Sequence, residues 1–524
     1  MVPRLALLIR SPACLLSLLG VALMLPALLW GPGFTHSHQY NLLWTAHFGR
    51  EMAVGHLYER WLPDSFEGLG SPTFYFYPPF AYWIGGAFCA IGFSVAMAVN
   101  LTGLALLVPS GLAMHHWLAA RGTRPLLGAA LYMAAPYHLY DIYVRGALAE
   151  AAAFIWLPLI ALAVDRLPTR RGMMLLAIAY AGLLLSHLPL AMLTGLFLIA
   201  PMIGRRLWQR DPVLLSGTVA GAFAFGLAAF YLIPALTLQS HVSTAMLWGQ
   251  DYRATDWSIW TSSFELFPCL TLGLILLAWP AARSFWGIVA ILTALLSIRL
   301  VPFVWDVPLL DKVQFPWRAF CIAEFAAITA LMASRPRAPL LAAAGVMLLF
   351  PYLFGGLLTA AFLRQPVAQD RIARIAPDAP EYLPRGFDLS RVRADNHWTD
   401  LTPWRALPRG DTIIVNHAGP MTLGHAAFPI WQVTRDGRPV ASSGPLLRFD
   451  AAPGLYRVER VRLWQEAWGA VISLLAAALM VALLMGQRAI SHLSKFPSYS
   501  PSSHRLDRRV STRRDRSRQS GGDI

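Results

Sequence analysis

Two carboxylates, Asp64 and Glu67, stand in the first hydrophilic stretch of the chain, where either could deprotonate an acceptor hydroxyl as a general base. The same stretch, His36 to Trp83, carries His36, His38, Arg60 and the run Tyr75-Phe76-Tyr77. Later segments add ionisable residues at similar places between apolar runs. YHLYDIYVRGALAE offers His138, Asp141, Arg145 and Glu150, and SHLP offers His187. The segment 236–265 offers His241, Asp251, Arg253, Asp256 and Glu265. Asp306 and then DKVQFPWR, with Asp311, Lys312, Gln314 and Arg318, complete the set. Ionisable groups are costly near a bilayer and often mark ligand paths. Converging on one face, they suit a pocket for an anionic, polar-headed substrate with an apolar part. The substrate-binding candidates are His36, His38, Arg60, Tyr77, Asp141, Arg145, Glu150, His187, Gln314 and Arg318, with Asp64 and Glu67 as the catalytic pair.

Plainer roles compete. Asp141 and Arg145, at i and i+4, could pair only with each other. Arg318, just inside an apolar run, could snorkel to the interface. Asp64 and Glu67 could be solvated loop charges. Tyr75-Phe76-Tyr77 fits an interfacial aromatic belt as well as a wall for a sugar ring or an isoprenoid. His36 and His38 form only a weak metal motif, and no metal site is assigned. The sequence has no P-loop, no GxGxxG, no HExxH and no Ser-His-Asp pattern, so no soluble nucleotide donor is implied.

The elements that must position these residues are membrane helices. Hydrophobic residues make up 56% of the 524 and charged residues 14%, well below the charge of soluble domains. Apolar runs cover 5–30, 76–93, 95–118, 125–140, 147–165, 172–186, 188–204, 213–235, 265–282, 284–300, 317–334, 338–361 and 467–486. The fold class expected is an all-α polytopic membrane bundle of about 11–13 spans with a small C-terminal β-rich extracytoplasmic domain. The first run lacks a small-x-small cleavage site and reads as a retained anchor more than as a signal peptide. Arg121/Arg124, Arg166/Arg170/Arg171, Arg205/Arg206/Arg210, Arg283 and Arg335/Arg337 mark the cytoplasmic side. Strict alternation through the first three runs would put Arg121 and Arg124 outside. Either 76–118 makes one net crossing or that loop breaks the charge rule.

The domains are 1–363, a multi-span part with the long outer loop 31–75; 364–465, rich in short alternating segments; 466–487, a final span; and 488–524, a basic tail. Within 364–465 the strands expected are Thr412–Asn416, Phe428–Thr434, Leu446–Phe449 and Tyr456–Leu463, with Asp436-Gly437 a hairpin turn that leaves Trp431 and Val433 facing inward. The formal charge of +15 owes much to the tail, where Lys495, Arg505, Arg508, Arg509, Arg513, Arg514, Arg516 and Arg518 lie among Ser, Pro and Gly. That composition predicts disorder on the cytoplasmic side and no nucleic-acid partner. Cys14, Cys89, Cys269 and Cys321 all fall in apolar runs without CxxC spacing, which suits buried thiols.

Several motifs resemble the bacterial multi-pass proteins called 6-pyruvoyl-tetrahydropterin synthase-related, themselves similar to GT-C membrane glycosyltransferases. They are Gly55-His56-Leu57-Tyr58 with Arg60-Trp61-Leu62, GLGSPTFYFYPP from Gly68 to Pro79, YVRGALAE from Tyr143 to Glu150, QFPWR from Gln314 to Arg318, and FPIWQVTRDG from Phe428 to Gly437. The resemblance implies a polyprenyl-phosphate-linked sugar as donor, an envelope glycan or lipid as acceptor, and residence in the bacterial inner membrane. It also implies an acidic residue of the first outer loop as base or divalent-metal ligand. A His-Asp pair opens that loop in the family pattern, with a second His four residues after the Asp; here the positions read His36-Ser37 and Asn41. The acidic role would then pass to Asp64 or Glu67 or be lost, with Arg145 and Arg318 on the lipid phosphate. Two functions follow: inverting glycosyl transfer, or a non-catalytic membrane protein that binds or scaffolds envelope glycan or lipid.

Overall fold

Apolar helices form most of the protein. The computed structural model describes residues 11–243 except 32 and 34, 253–257, 270–349 except 339 and 347, 353, 379–387 and 412–493; the side chains of Glu67 and Thr255 and those beyond 485 stand outside that description. Contacts divide the chain into residues 1–477 and 478–524, and the site lies wholly in the first.

Helix starts and stops follow local chemistry. The Ser11 hydroxyl accepts from the Cys14 N–H at 3.2 Å, Pro12 opens the first helix, and Gly31 ends it at φ 96°. Among the described residues, six helices are long and apolar enough to cross a membrane: Pro12–Trp30, Val95–Ala119, Leu148–Asp165, Leu188–Trp208, Pro316–Ala333 and Trp464–Met485. The pair Leu214–Leu227 and Ala229–Thr237, bent by 75°, would make a seventh. The chain is thus a multi-pass membrane protein. Other apolar runs fold as shorter pieces. Run 125–140 breaks into Pro125–Met133 and Pro136–Tyr140 because Ala135 precedes a proline and takes ψ 143°. Runs 172–186, 265–282 and 284–300 become Arg170–Ser186, Leu270–Leu277 and Phe285–Ser297. Run 338–361 lies within the described residues only in part.

Against the 11–13 spans expected, six or seven helices of spanning length stand among the described residues, and run 76–93 shows how an apolar run falls short. Run 76–93 yields Phe80–Ala90, 11 residues, roughly 16 Å against a hydrocarbon core of roughly 30 Å. It packs along His38–Ala53, where small residues let the backbones meet: a Cβ on Gly86 would lie 2.5 Å from Phe48 Cβ. With no crossing there, Val95–Ala119 returns Arg121 and Arg124 to the side where the first helix begins, which removes the charge conflict. The basic loops do gather at one end. Arg121 pairs with Asp165 and lies over the Trp117 ring at 3.9 Å, Arg206 bonds the carbonyls of Val164 and Asp165, and Arg205 lies over Phe285 at 5.1 Å.

The C-terminal strands are β1 Thr412–Val415, β2 Gly419–Ala426, β3 Trp431–Arg435, β4 Arg438–Val440, β5 Leu446–Ala451 and β6 Gly454–Arg460. They form an antiparallel sheet ordered β1-β6-β3-β4 and a separate β2-β5 pair. Asp436 and Gly437 turn β3 into β4 at φ 48° and 77°, with Arg435 opposite Arg438. Trp431 is buried and meets Trp61 edge-on at 5.3 Å, while His425 stacks on Trp61 at 5.3 Å and 6°. The sheet thereby seats on the first loop, opposite the basic end. Arg460 grips Glu59 at 2.6 Å, and Glu466 accepts from Arg60 at 2.9 Å and Tyr75 at 2.8 Å. At the 75° bend, Ser473 Oγ accepts the Phe230 N–H at 2.9 Å and donates to the Gly226 carbonyl at 3.0 Å, satisfying backbone groups that lipid could not.

Two outcomes follow from this arrangement. In a cysteine-free background, Ser442→Cys should react with an impermeant thiol reagent in intact cells and Arg124→Cys should not; the reverse pattern would invert the topology. Burial lowers the His425 pKa to about 4. Its unfolded value lies near 6.5, so the unfolded chain binds more protons between these values, and stability falls as pH drops from about 6.5 to about 4. The melting temperature in detergent should decline over that window by the equivalent of about 3 kcal/mol or less, and His425→Phe should flatten the decline.

Candidate functional site

A cavity of about 530 Å³ opens where the first loop, several outer helix ends and the segment 379–382 meet. Its aromatic wall is Tyr40, Trp44, Phe76, Tyr77, Tyr82, Phe315 and Tyr382, and Leu188, Met192, Ala235 and Leu236 add an aliphatic side. Polar groups are Ser37, His187, Gln239, Lys312, Gln314, Arg318 and Glu381. A concave apolar site with few polar groups is the usual form of a small-molecule site.

Local backbone chemistry fixes the wall. A π-helical turn, Asp141–Arg145, ends at Gly146 with φ 61°. A Cβ on Gly146 would lie 2.1 Å from Thr35 Oγ1, so the first loop can approach only because the residue is glycine. His36 N–H then donates to the Val144 carbonyl and Ser37 N–H to that of Arg145, both at 3.0 Å, and Asn41 Nδ2 donates to the Gly146 carbonyl at 2.7 Å. These bonds set Ser37 and Gly146 side by side in the wall.

Beneath it lies a buried ion cluster. Arg145 Nη1 donates to Asp141 Oδ1 and Glu150 Oε2, both at 2.7 Å, and Tyr137 Oη donates to Glu150 Oε1 at 2.7 Å. Arg318 Nε stands 3.5 Å and His187 Nε2 3.9 Å from Glu150 Oε2. Two guanidinium groups face two carboxylates, a balance that burial demands. His187 Nδ1 accepts the Leu190 N–H at 3.1 Å, capping Leu188–Trp208, so the ring proton sits on Nε2. Arg318 is held by the Val313 carbonyl at 2.7 Å and Gln314 Oε1 at 3.3 Å, over the Phe315 ring at 5.0 Å. Its Nε faces Glu150 without a hydrogen bond among the described residues, and the side chain lines the cavity. Asp141, Glu150 and Cys321 bring ligand atoms within 4.8 Å of one another. The Arg145 guanidinium already bonds both carboxylates and supplies the charge a cation would bring.

The expected site residues are thus brought together only in part. Tyr77, His187, Gln314 and Arg318 line the cavity, and Asp141, Arg145 and Glu150 form its underlayer. Asp64 does not reach Arg145 or Arg318: it lies at the surface, half exposed, paired with Arg50. The Glu67 side chain lies outside the described residues, as do Asp251 and Glu265. Arg60 is not in the wall either, being spent on Glu466 and the Phe230 carbonyl. His36 is exposed, and His38 Nδ1 donates to the Thr35 carbonyl at 2.7 Å. The carboxylate nearest Arg318 in sequence, Glu324, instead accepts the N–H groups of Tyr137 at 2.7 Å and His138 at 3.2 Å, capping Pro136–Tyr140. Sequence reasoning missed Glu381, whose one local signal is its place between Pro380 and Pro384.

No protein-family model and no curated protein matches the chain. Two cryo-EM structures of arabinofuranosyltransferase AftD from Mycobacteria, one a mutant form, are similar to it at 15% and 14% identity with TM-scores of 0.41. The likeness covers 68% of this chain and 27% and 28% of those, so the chain spans about a quarter of their length.

Glu150→Ala would leave Arg145 with Asp141 alone and take from Arg318 the carboxylate it faces. It should destabilise the protein in detergent by about 3–5 kcal/mol, read as a lower melting temperature, and Glu150→Gln should cost less because it keeps a partner for Tyr137. A melting temperature unchanged in Glu150→Ala would show that the cluster is solvated.

Proposed function

We propose that the protein is a GT-C-like membrane glycosyltransferase that takes a polyprenyl-phosphate-linked sugar in this cavity and passes the sugar to an envelope acceptor, on the outer face of the bacterial inner membrane. The observation that carries the reading is Arg318, a buried guanidinium fixed on three sides and lining an aromatic cavity. Arginine matches phosphate geometry with paired N–H groups, and a dry setting strengthens such bonds. The aromatic residues offer faces for a sugar ring, and the aliphatic side suits an isoprenoid. In the transfer, Arg318 stabilises the charge that gathers on the leaving lipid phosphate as the glycosidic bond breaks. The motif resemblance in the first loop, YVRGALAE and QFPWR agrees with this use. Basic helix ends on one side and the β-strands on the other agree with the orientation.

A second reading has its own observation. Ser37 lines the wall where the resembling family has an acid, and Asp64 lies away from it. This favours a protein that binds lipid-linked glycan without transferring it.

Purified protein in nanodiscs, given a polyprenyl-phosphate hexose, separates the readings. Wild type should bind it and release polyprenyl phosphate when envelope membranes are added. Arg318→Ala should weaken binding at least about tenfold, as expected for loss of a charge-assisted pair, and Arg318→Lys should recover only part, since a point charge lacks the fork. Wild-type affinity and turnover in Arg318→Ala would remove the phosphate site. Binding without release by wild type would leave the non-catalytic reading.

A further inference from the structure

We infer that Glu381 is the general base of the transfer, a residue brought to the cavity by the segment leading into the β-strands and not by the first loop. The inference rests on the glycosyl-transfer reading. Inverting transfer needs a group that accepts the proton of the acceptor hydroxyl, within hydrogen-bond reach of it. The groups on the wall can be sorted by chemistry. The Ser37 hydroxyl and the tyrosine phenols keep their protons at neutral pH. Lys312 is an ammonium ion paired with Asp311 at 2.8 Å. His187 has spent its lone pair on the Leu190 N–H and presents N–H, not N, to Glu150. Glutamine amides are not bases. Among the described residues that line the cavity, Glu381 is the carboxylate.

Its setting is built to hold it there. Residues Pro380–Tyr382 form a 3-10 turn between Ala379 and Leu383, both buried. Tyr382 stacks on Phe76 of the first loop at 5.7 Å and 7°. Two backbone bonds, Ser243 N–H to the Leu383 carbonyl and Arg385 N–H to the His241 carbonyl, each 2.9 Å, strap the segment to the end of the bent helix pair. Glu381 itself is half-buried on the side of the turn that faces the cavity. The transfer balances as follows. The Glu381 carboxylate takes the acceptor proton, the freed oxygen pair bonds the anomeric carbon, and the carbon–oxygen bond to phosphate breaks. Its electron pair leaves on the lipid phosphate beside Arg318.

The test is Glu381→Gln and Glu381→Asp in nanodiscs with a radiolabelled polyprenyl-phosphate hexose and pentose, with envelope membranes as acceptor source. Glu381→Gln should lose at least about 100-fold in transfer while binding each lipid within about threefold of wild type, the span left when only ground-state contacts are kept. Glu381→Asp should restore part of the rate, and the acidic limb of the wild-type pH–rate profile should vanish in Glu381→Gln. Transfer within threefold of wild type in Glu381→Gln would overturn the assignment and leave the glycosyl-transfer reading standing. Loss of binding together with transfer would also overturn it, assigning Glu381 a structural role. A wild type that binds both lipids and transfers neither sugar would end the transfer reading, and the base with it.

Discussion

A guanidinium can be buried in a membrane protein only if a carboxylate is buried with it, and here Glu150 serves two. It sits in the first turn of Leu148–Asp165, Arg145 reaches it from the preceding π-helical turn, and Arg318 reaches it from the first turn of Pro316–Ala333. His187, the cap of Leu188–Trp208, faces the same oxygen. Three helix ends are therefore registered on one carboxylate. The cavity above inherits a rigid floor, and Arg318 keeps a single orientation because its other edges are occupied.

The first loop supplies the wall that this floor needs. Its backbone is tied to Val144, Arg145 and Gly146, its aromatic residues pack as Trp44, Phe74, Tyr77 and Tyr82 within 4.6–6.2 Å of one another, and Trp61 anchors the β-strands. Loops usually carry function because a scaffold positions them. This one is positioned from below by helix ends and from above by strands, and the cavity lies between the two.

Much of this was legible in the chain. Long apolar runs marked the spans, and Asp436-Gly437 between alternating segments marked a hairpin whose Trp431 does face inward. Convergence of Tyr77, His187, Gln314 and Arg318 on one wall follows from which loops share an end. The rest was hidden for physical reasons. Hydropathy measures composition, and Phe80–Ala90 is as apolar as a span but stops at 11 residues. Strand β2, reading GPMTLGHA, has no alternation to detect. The partner of Arg318 lies 168 positions away, beyond any i±4 argument. Arg60, Asp64 and Glu381 look alike in sequence, since a loop charge carries no mark of whether it meets a ligand, a neighbour or solvent.

The contact of Glu59 with Arg460 spans 401 positions. The first loop leaves the ribosome well before Arg460, Glu466 and the strands that cover Trp61. At roughly 5–20 residues per second, that interval is on the order of 20–80 seconds. For that time Glu59, Arg60 and the aromatic face of the loop lack the groups that neutralise and shield them. The loop is the first part of the site to be synthesised and among the last to be completed, which makes it a natural client for chaperones or insertases during biogenesis. Truncation before Trp464 would leave this loop unfinished and the bent helix pair without the Ser473 hydroxyl.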